Sequence, residues 1–482
     1  MNKLLLIFLG VLTGLGSLAQ GHQQKYNVLM ISVDDMNDWA GFLKGYPYPK
    51  TPAIDKLAGE GVRFNNAHCA APLCNPSRSA VLTGMRPGTT GLYNNTYNFN
   101  DVLSDVLTLP RYFKNNGYYV AGAGKLFHAD YISINDWDEY LLRNRDNIDS
   151  NIQKNRVGKA VWAAIDQGDE ALDDTKMVDY VIHQLKQEHN KPFFLHCGTY
   201  KPHLPWYIPK KYFDMHPLDS IVLPDVNEND FDDIPQMGKE MIKHSGKTWA
   251  RLKESGKWKE AVQAYLAAQS YADAQIGRLL KALENSNYAG NTIVLLWGDH
   301  GWHLGEKHHW TKNTLWEEAT RAPLVIKVPG NNSNGRVIDE AVDFMNIYPT
   351  LADFCGLEIP EHCEGFSMKE LMENPDMPIK QPAITTCGQN NHAMRDEKWR
   401  YIHYNDGAEE LYDHEKDPIE WTNLANDSRY SNVKSFFKQY LPTRNKEQVE
   451  IENYHDGYIR KRGVVVSADN PEGIPLDEYY KN

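Results

Sequence analysis

The sequence predicts an α/β fold: a large mixed, mostly parallel sheet flanked by helices, with a smaller antiparallel-sheet subdomain at the C-terminal end. Three observations predict it. Continuous apolar runs at residues 26–33, 192–198 and 291–297 read as buried strands, the pattern of a parallel sheet covered on both faces. Helical periodicity over residues 175–188 and 260–285 supplies covering helices; in the second, Tyr265, Ala268, Ala272, Ile276, Leu279 and Leu283 form one core-facing stripe. From about residue 381 the character changes, and residues 399–404 alternate as a half-buried strand.

The chain has 482 residues and a formal charge of −13, with ordinary globular composition. That acidity argues against nucleic acid as a partner, which needs a basic footprint, and against gripping a long polyanion over a broad surface. Residues 1–19 read as a secretory signal: Lys3, an apolar run, then Ser17-Leu18-Ala19. The run is too short to span a bilayer and nothing later resembles a membrane helix, so an exported protein, periplasmic or secreted, with no membrane partner is expected. Six cysteines are sparse for an exported chain of this size, so no disulfide framework carries the fold. Cys355 and Cys363 are close enough in sequence to bridge a short loop, and the sequence leaves that open. Domain limits are expected at 20–380 and 381–482.

Taken in order, the run at 26–33 delivers Asp34 and Asp35 to its C-terminal end, where ligands gather in open α/β sheets. Two adjacent carboxylates there repel unless a cation sits between them; read alone, they are a polar loop or a helix cap. Residues 51–61 form a short helix, with Thr51 as cap, Pro52 in the first turn and Gly61 beyond the end. Then comes Cys74-Asn75-Pro76-Ser77-Arg78, followed by an apolar run ending Leu82-Thr83-Gly84. Residues 108–115 are a helix and 118–121 a strand, leading to Gly122, Gly124, Lys125 and His128; the glycines bring the backbone close to something. Residues 129–170 show no period and read as loop shaping an entrance. After the strand at 192–198 comes Lys201-Pro202-His203, and after that at 291–297 come Asp299 and His300. Residues 215–260 are polar and Pro-punctuated. Between Trp302 and Lys312 lie His303, His308 and His309, which read as exposed loop histidines facing a sugar, with Trp302 or Trp310 as a stacking surface. Residues 321–329 are a further strand and 342–351 a helix. Asn391, His392 and Arg395 are expected on a loop that could reach a pocket. Taken singly, Lys125 and Lys312 read as solvated lysines and His203 as a turn histidine.

The segment from Cys74 to Gly84 resembles the activation signature of the sulfatases of the alkaline-phosphatase superfamily, Cys-x-Pro-Ser-Arg followed by Leu-Thr-Gly. The Gly-Lys-x-Phe-His stretch at Lys125 and His128 and the Lys-Pro-His-x-Pro stretch at His203 resemble the iduronate-2-sulfatase-like branch and its bacterial polysaccharide-sulfatase relatives. The motifs stand in family order over residues 26–424. The resemblance implies that Cys74 is oxidised to 3-oxoalanine (Cα-formylglycine) by a formylglycine-generating or anaerobic maturation enzyme. It implies one divalent cation held by Asp34, Asp35, residue 74, Asp299 and His300. A mostly oxygen set of this kind suits calcium, with magnesium possible. It also implies catalytic roles for Cys74, Arg78, Lys125, His128, His203 and Lys312.

The function so implied is hydrolysis of a sulfate ester on a sulfated carbohydrate, exo-acting and from an algal polysaccharide such as ulvan. The alternatives are a glycosaminoglycan uronate 2-O-sulfatase and, more remotely, a phosphoesterase of the same superfamily. The phosphoesterases lack the full signature and usually carry Thr or Ser as nucleophile. A non-enzymatic carbohydrate-binding protein is argued against by the intact Cys74, Arg78, Lys125, His203 and Lys312.

Overall fold

The computed structural model describes residues 25–128, 132–243, 246–379, 381–449 and 462–481. The leader expected at residues 1–19 lies outside these. No helix among the described residues is long and apolar enough to cross a membrane.

Ten strands form the main sheet. Its centre is parallel: Thr292–Gly298, Asn27–Val33, Phe193–Thr199, Tyr119–Gly124 and Glu139–Leu141 lie side by side in that order. Leu324–Lys327 joins one flank antiparallel, followed by Val62–Phe64 and Val337–Ile338; Val464–Val466 joins the other antiparallel. The apolar runs are continuous because both faces are covered. Leu29, Ile31 and Val33 face one core, built with the helices Pro52–Glu60, Asp173–Lys186 and Trp258–Glu284. Val28 and Met30 face the other, built with Cys74–Thr83, Leu109–Asn115 and Ile347–Phe354. Each fully buried aliphatic side chain of this kind contributes about 1.5–3 kcal/mol. The stripe predicted from Tyr265 to Leu283 is buried throughout.

The helix expected from Thr51 forms at Pro52–Glu60, but Thr51 does not cap it. Its hydroxyl accepts from the Gly41 amide at 2.9 Å instead. The cap comes from the long helix: the buried Asp273 carboxylate accepts from the Ala53 and Ile54 amides at 3.1 and 2.8 Å. Asp273→Ala is therefore expected to cost about 1–2 kcal/mol, read from a denaturant midpoint; an unmoved midpoint would show that the distant cap contributes nothing. Burial pushes the Asp273 carboxyl up to about 7, so its contribution is greatest at acidic pH and fades as pH rises through that value.

Several expectations are corrected. Residues 129–170 are not simply loop: Glu139–Leu141 joins the main sheet, and Asn155–Val157 and Ala160–Ile165 form a small sheet with Trp206–Pro209. The two three-residue strands, Glu139–Leu141 and Asn155–Val157, carry too few residues to show a period. Residues 215–260 contain the helices Gln236–Met241 and Gly246–Glu254. The strand expected at 118–121 runs to Gly124, and what approaches Gly124 is the chain itself: a Cβ there, at φ +84°, would collide with the Gly198 carbonyl on the neighbouring strand. Cys355 and Cys363 are free thiols, as are all six cysteines. Helix expected from 342 begins at Ile347, after a two-residue strand and a short 3-10 turn.

Toward the C-terminus, Ala383–Thr386, His392–Arg395, Trp399–His403 and Glu409–Asp413 form a four-stranded antiparallel sheet, with Phe437 of the helix Ser431–Lys438 stacked on Tyr401. His392 and Arg395 are thus strand residues rather than loop residues. Arg395 and Arg400 pair with the buried Glu317, and Arg400 also with Glu420, joining this sheet to the main domain. These buried charges are tolerable because they are mutually paired.

Candidate active site

The parallel strands end together, and that edge assembles the site. Val33 lies opposite both Gly298 and Thr199, so Asp34, Asp299 and Tyr200 leave the sheet as neighbours. The Asp299 amide donates to the Val33 carbonyl at 3.2 Å. Over this edge sits the helix Cys74–Thr83, all ten of whose residues are buried. Cys74 opens it, with Leu73 extended before it and no side-chain cap. Asn75 anchors the turn through the Asn94 and Tyr97 carbonyls, and Ser77 donates to the Asp299 carbonyl at 2.6 Å. Gly84 ends the helix in the left-handed region, at φ +68°.

The Cys74 sulfur lies 3.1 Å from Lys312 Nζ and 3.4 Å from His300 Nε2. Burial opposes its ionisation, but Lys125 and Lys312 outweigh burial and bring the thiol down to about 6. Lys312 is paired with Asp35, and Lys125 with Asp34. Arg78 is completely buried; its Nε meets Asp299 at 2.8 Å, one terminal nitrogen meets Asp34 at 3.4 Å, and the other donates to the Lys125 carbonyl. Burial opposes charge on Asp34, yet Lys125, His203, Arg78 and Lys312 hold it well below the usual carboxylate range. Burial lifts Asp299 to about 6 against the pull of Arg78.

Three histidines complete the assembly. His300 donates from Nδ1 to the Gly301 carbonyl at 2.9 Å, which turns Nε2 toward Cys74. His203 donates from Nδ1 to the Leu204 carbonyl at 2.6 Å, leaving Nε2 3.9 Å from Asp35 at the mouth, where the side chain is 37% exposed. Burial lowers the His203 pKa. Burial, with Lys125, takes His128 down to about 3, so its ring is neutral near neutral pH.

All ten residues expected here, Asp34, Asp35, Cys74, Arg78, Lys125, His128, His203, Asp299, His300 and Lys312, fall in one neighbourhood. Ligand atoms of Asp34, Asp35, Cys74 and His300 lie within 4.8 Å of one another. Asp299 stands beside them, with its oxygens engaged by Arg78 and by the Asp35 amide. Asp35 Oδ2 is buried with no hydrogen-bond donor, as expected of an oxygen awaiting a cation.

The sugar-facing surface expected at Trp302–Trp310 is overturned. His303, His309, Trp302 and Trp310 are all buried. They close the core beneath the site: Trp302 carries Lys312 5.1 Å above its ring, and His303 meets Thr314 at 2.7 Å. His308 stacks on Trp249. Sequence reasoning also missed the supports. Ser32 donates to the Lys125 carbonyl at 2.7 Å, and Tyr265 donates to the Asp35 carbonyl at 2.9 Å. Ser32 did leave a signal, as the one hydroxyl inside an apolar strand; Tyr265, on a remote helix, left none.

A buried cysteine with two lysines beside it, set over clustered carboxylates at the carboxyl edge of such a sheet, is an arrangement suited to holding an anionic ester. Residues 26–357 match the sulfatase family, and residues 305–447 match the N-sulphoglucosamine sulphohydrolase C-terminal family. A sulfatase of Formosa agariphila is 40% identical over 459 residues, 90% of each chain. Mouse iduronate 2-sulfatase is 31% identical, covering 72% of each chain. An ulvan-active sulfatase of Formosa agariphila is 27% identical, covering 95% of this chain and 88% of that one. Among solved structures, one in complex with its substrate D-glucosamine-2-N,6-O-disulfate superposes with TM-score 0.69 at 23% identity, covering 87% of this chain and 97% of that one. The chain belongs to the sulfatase family and is a sulfuric ester hydrolase.

Proposed function

We propose that the protein removes a sulfate ester from a sulfated oligo- or polysaccharide through the hydrate of a formylglycine made from Cys74. The observation that carries this is the Cys74 sulfur at a helix N-terminus, 3.1 Å from Lys312 Nζ and backed by two buried, paired carboxylates. Sulfur chemistry of this kind depends on positioning and on neutralising charge that spreads over the ester oxygens.

The residues present fit a divalent cation: Asp34, Asp35, His300, Asp299 and residue 74 would hold it. The oxygen-rich set suits calcium, with magnesium possible. When bound, the cation supplies positive charge that favours ionisation of the attacking hydroxyl on residue 74. Arg78 keeps Asp34 and Asp299 in place. Lys125 and Lys312, the cations nearest the nucleophile, neutralise sulfate oxygens. One hydroxyl of the residue 74 hydrate attacks sulfur as the bond to the sugar oxygen breaks. In its protonated form His203 keeps Nδ1–H on the Leu204 carbonyl and delivers the Nε2 proton, at the mouth, to that leaving oxygen. The neutral His128 then takes a proton from the second hydroxyl, the carbonyl re-forms, and sulfate departs.

A charge of −13 supports exo action on chain ends over a long polyanion lying along the surface. The ulvan-active relative supports an algal polysaccharide. A second reading, a glycosaminoglycan uronate 2-O-sulfate, is favoured by the higher identity to iduronate 2-sulfatase. The test is sulfate release by protein co-expressed with a maturation enzyme, offered uronate 2-sulfates, rhamnose 3-sulfate ends of ulvan, and sulfated galactans. Release from one class identifies the substrate. No release from any, with an aldehyde found by mass at residue 74, would overturn the carbohydrate reading.

A further inference from the structure

The carboxyl ends of five adjacent strands form a row: Asp299 and His300, then Asp34 and Asp35, then Tyr200, then Lys125, then Arg143. The mechanism uses all of these groups except Tyr200 and Arg143. Arg143 stands two residues past Glu139–Leu141, which runs parallel to Tyr119–Gly124 with Leu141 opposite Ala123, so it leaves the sheet on the same edge as Lys125. Its guanidinium carbon lies 3.7 Å from the centre of the Tyr200 ring, and Lys125 Nζ lies 5.6 Å from that centre. The two cations are therefore within about 9 Å of each other.

Tyr200 is a rigid platform. It is buried, and its amide donates to Asp174 at 2.9 Å. Arg143 lies on it with Nε buried and given no acceptor, and no carboxylate among the described residues reaches ion-pair distance. The acids nearest to it are already engaged. Asp174 takes the Tyr200 and Lys201 amides, Asp173 takes the Asn144 amide, and Asp146 takes the Asp173 amide and faces Lys201 at 3.5 Å. A guanidinium whose face is fixed and whose buried Nε has no acceptor among the described residues is prepared for a planar or tetrahedral oxyanion.

We propose that Arg143 determines specificity by holding a second anionic group of the substrate, a carboxylate or a further sulfate on the sugar that carries the ester or on its neighbour. This rests on the sulfatase reading above. It places the dianionic end of a chain along the row, with the reacting sulfate at Cys74 and Lys312 and the second anion past Lys125.

The test compares wild type, Arg143→Ala and Arg143→Lys on an aryl monosulfate and on two disaccharides that carry the ester plus either a carboxylate or a second sulfate. Arg143→Ala is expected to lower kcat/KM on one disaccharide by about 10- to 100-fold, mostly through KM, and at least tenfold more than on the aryl sulfate. Which disaccharide suffers names the anion, and Arg143→Lys recovers part of the loss. Equal losses on all substrates would mean that Arg143 only packs against Tyr200, and would overturn the proposal, as would no loss on either disaccharide. Binding gives a reading independent of turnover: Cys74→Ala should bind the preferred disaccharide at least tenfold more tightly than Cys74→Ala/Arg143→Ala. Equal affinity, or no binding by either, overturns the proposal. Wild type that binds but releases no sulfate points instead to failure of the sulfatase reading.

Discussion

Replacing Cys74 by alanine drops sulfate release to the uncatalysed background, a loss of at least about 10⁴-fold, while the protein stays folded. The activity is lost because alanine offers neither a thiol to oxidise nor a hydrate to attack, and Lys125, Lys312 and His128 then have no nucleophile to serve. The fold survives because the thiol bears little of the helix's attachment. Asn75 and Ser77 hold the turn through the Asn94, Tyr97 and Asp299 carbonyls, and Val81 and Leu82 hold the rest of the helix in the core. Sulfate release from a competent substrate, read beside a thermal melt, checks both halves. Turnover within tenfold of wild type would sink the assignment of residue 74.

Arg78→Ala behaves in the opposite way and removes stability together with activity. Arg78 is completely buried and is the cation shared by Asp34 and Asp299. Its loss leaves the buried Asp299 without its cation and Asp34 with Lys125 alone, which costs about 3–5 kcal/mol. Against a total stability of about 5–15 kcal/mol, that removes a large fraction of the margin. Chemical denaturation of the purified variant checks it; a midpoint equal to that of wild type would mean that Asp34 and Asp299 are balanced by other groups. Arg78→Lys keeps the charge but not the fork that reaches both acids and the Lys125 carbonyl, so only part of the stability returns.

The site was legible to an unusual degree, because the chain writes it in short local runs. Asp34–Asp35, Cys74–Arg78, Lys125–His128, Lys201–His203 and Asp299–His300 each begin within two residues of a strand end or open a helix. Strand ends in a parallel sheet converge whatever lies between them. Legibility failed where a residue's role depends on a partner far along the chain. His303, His309, Trp302 and Trp310 have the composition of a sugar-binding loop, yet they pack into the core beneath Lys312. Asp273 lies 220 residues from the helix it caps.

By itself, the sequence determined the α/β class, the buried strands, the core stripe of the long helix and which short polar runs stand at the strand ends. Each of these is written in local periodicity or in residues adjacent to a strand end. Only the tertiary structure decided which cation pairs with which carboxylate, what closes around Gly124, and that Val464–Val466 returns to the main sheet beside Glu139–Leu141. It also decided that Arg143 lies over Tyr200 on the edge that carries Lys125. Those outcomes depend on distances between segments remote in sequence. Burial makes such distances energetically decisive, because a charge removed from water must find its partner within a few ångströms.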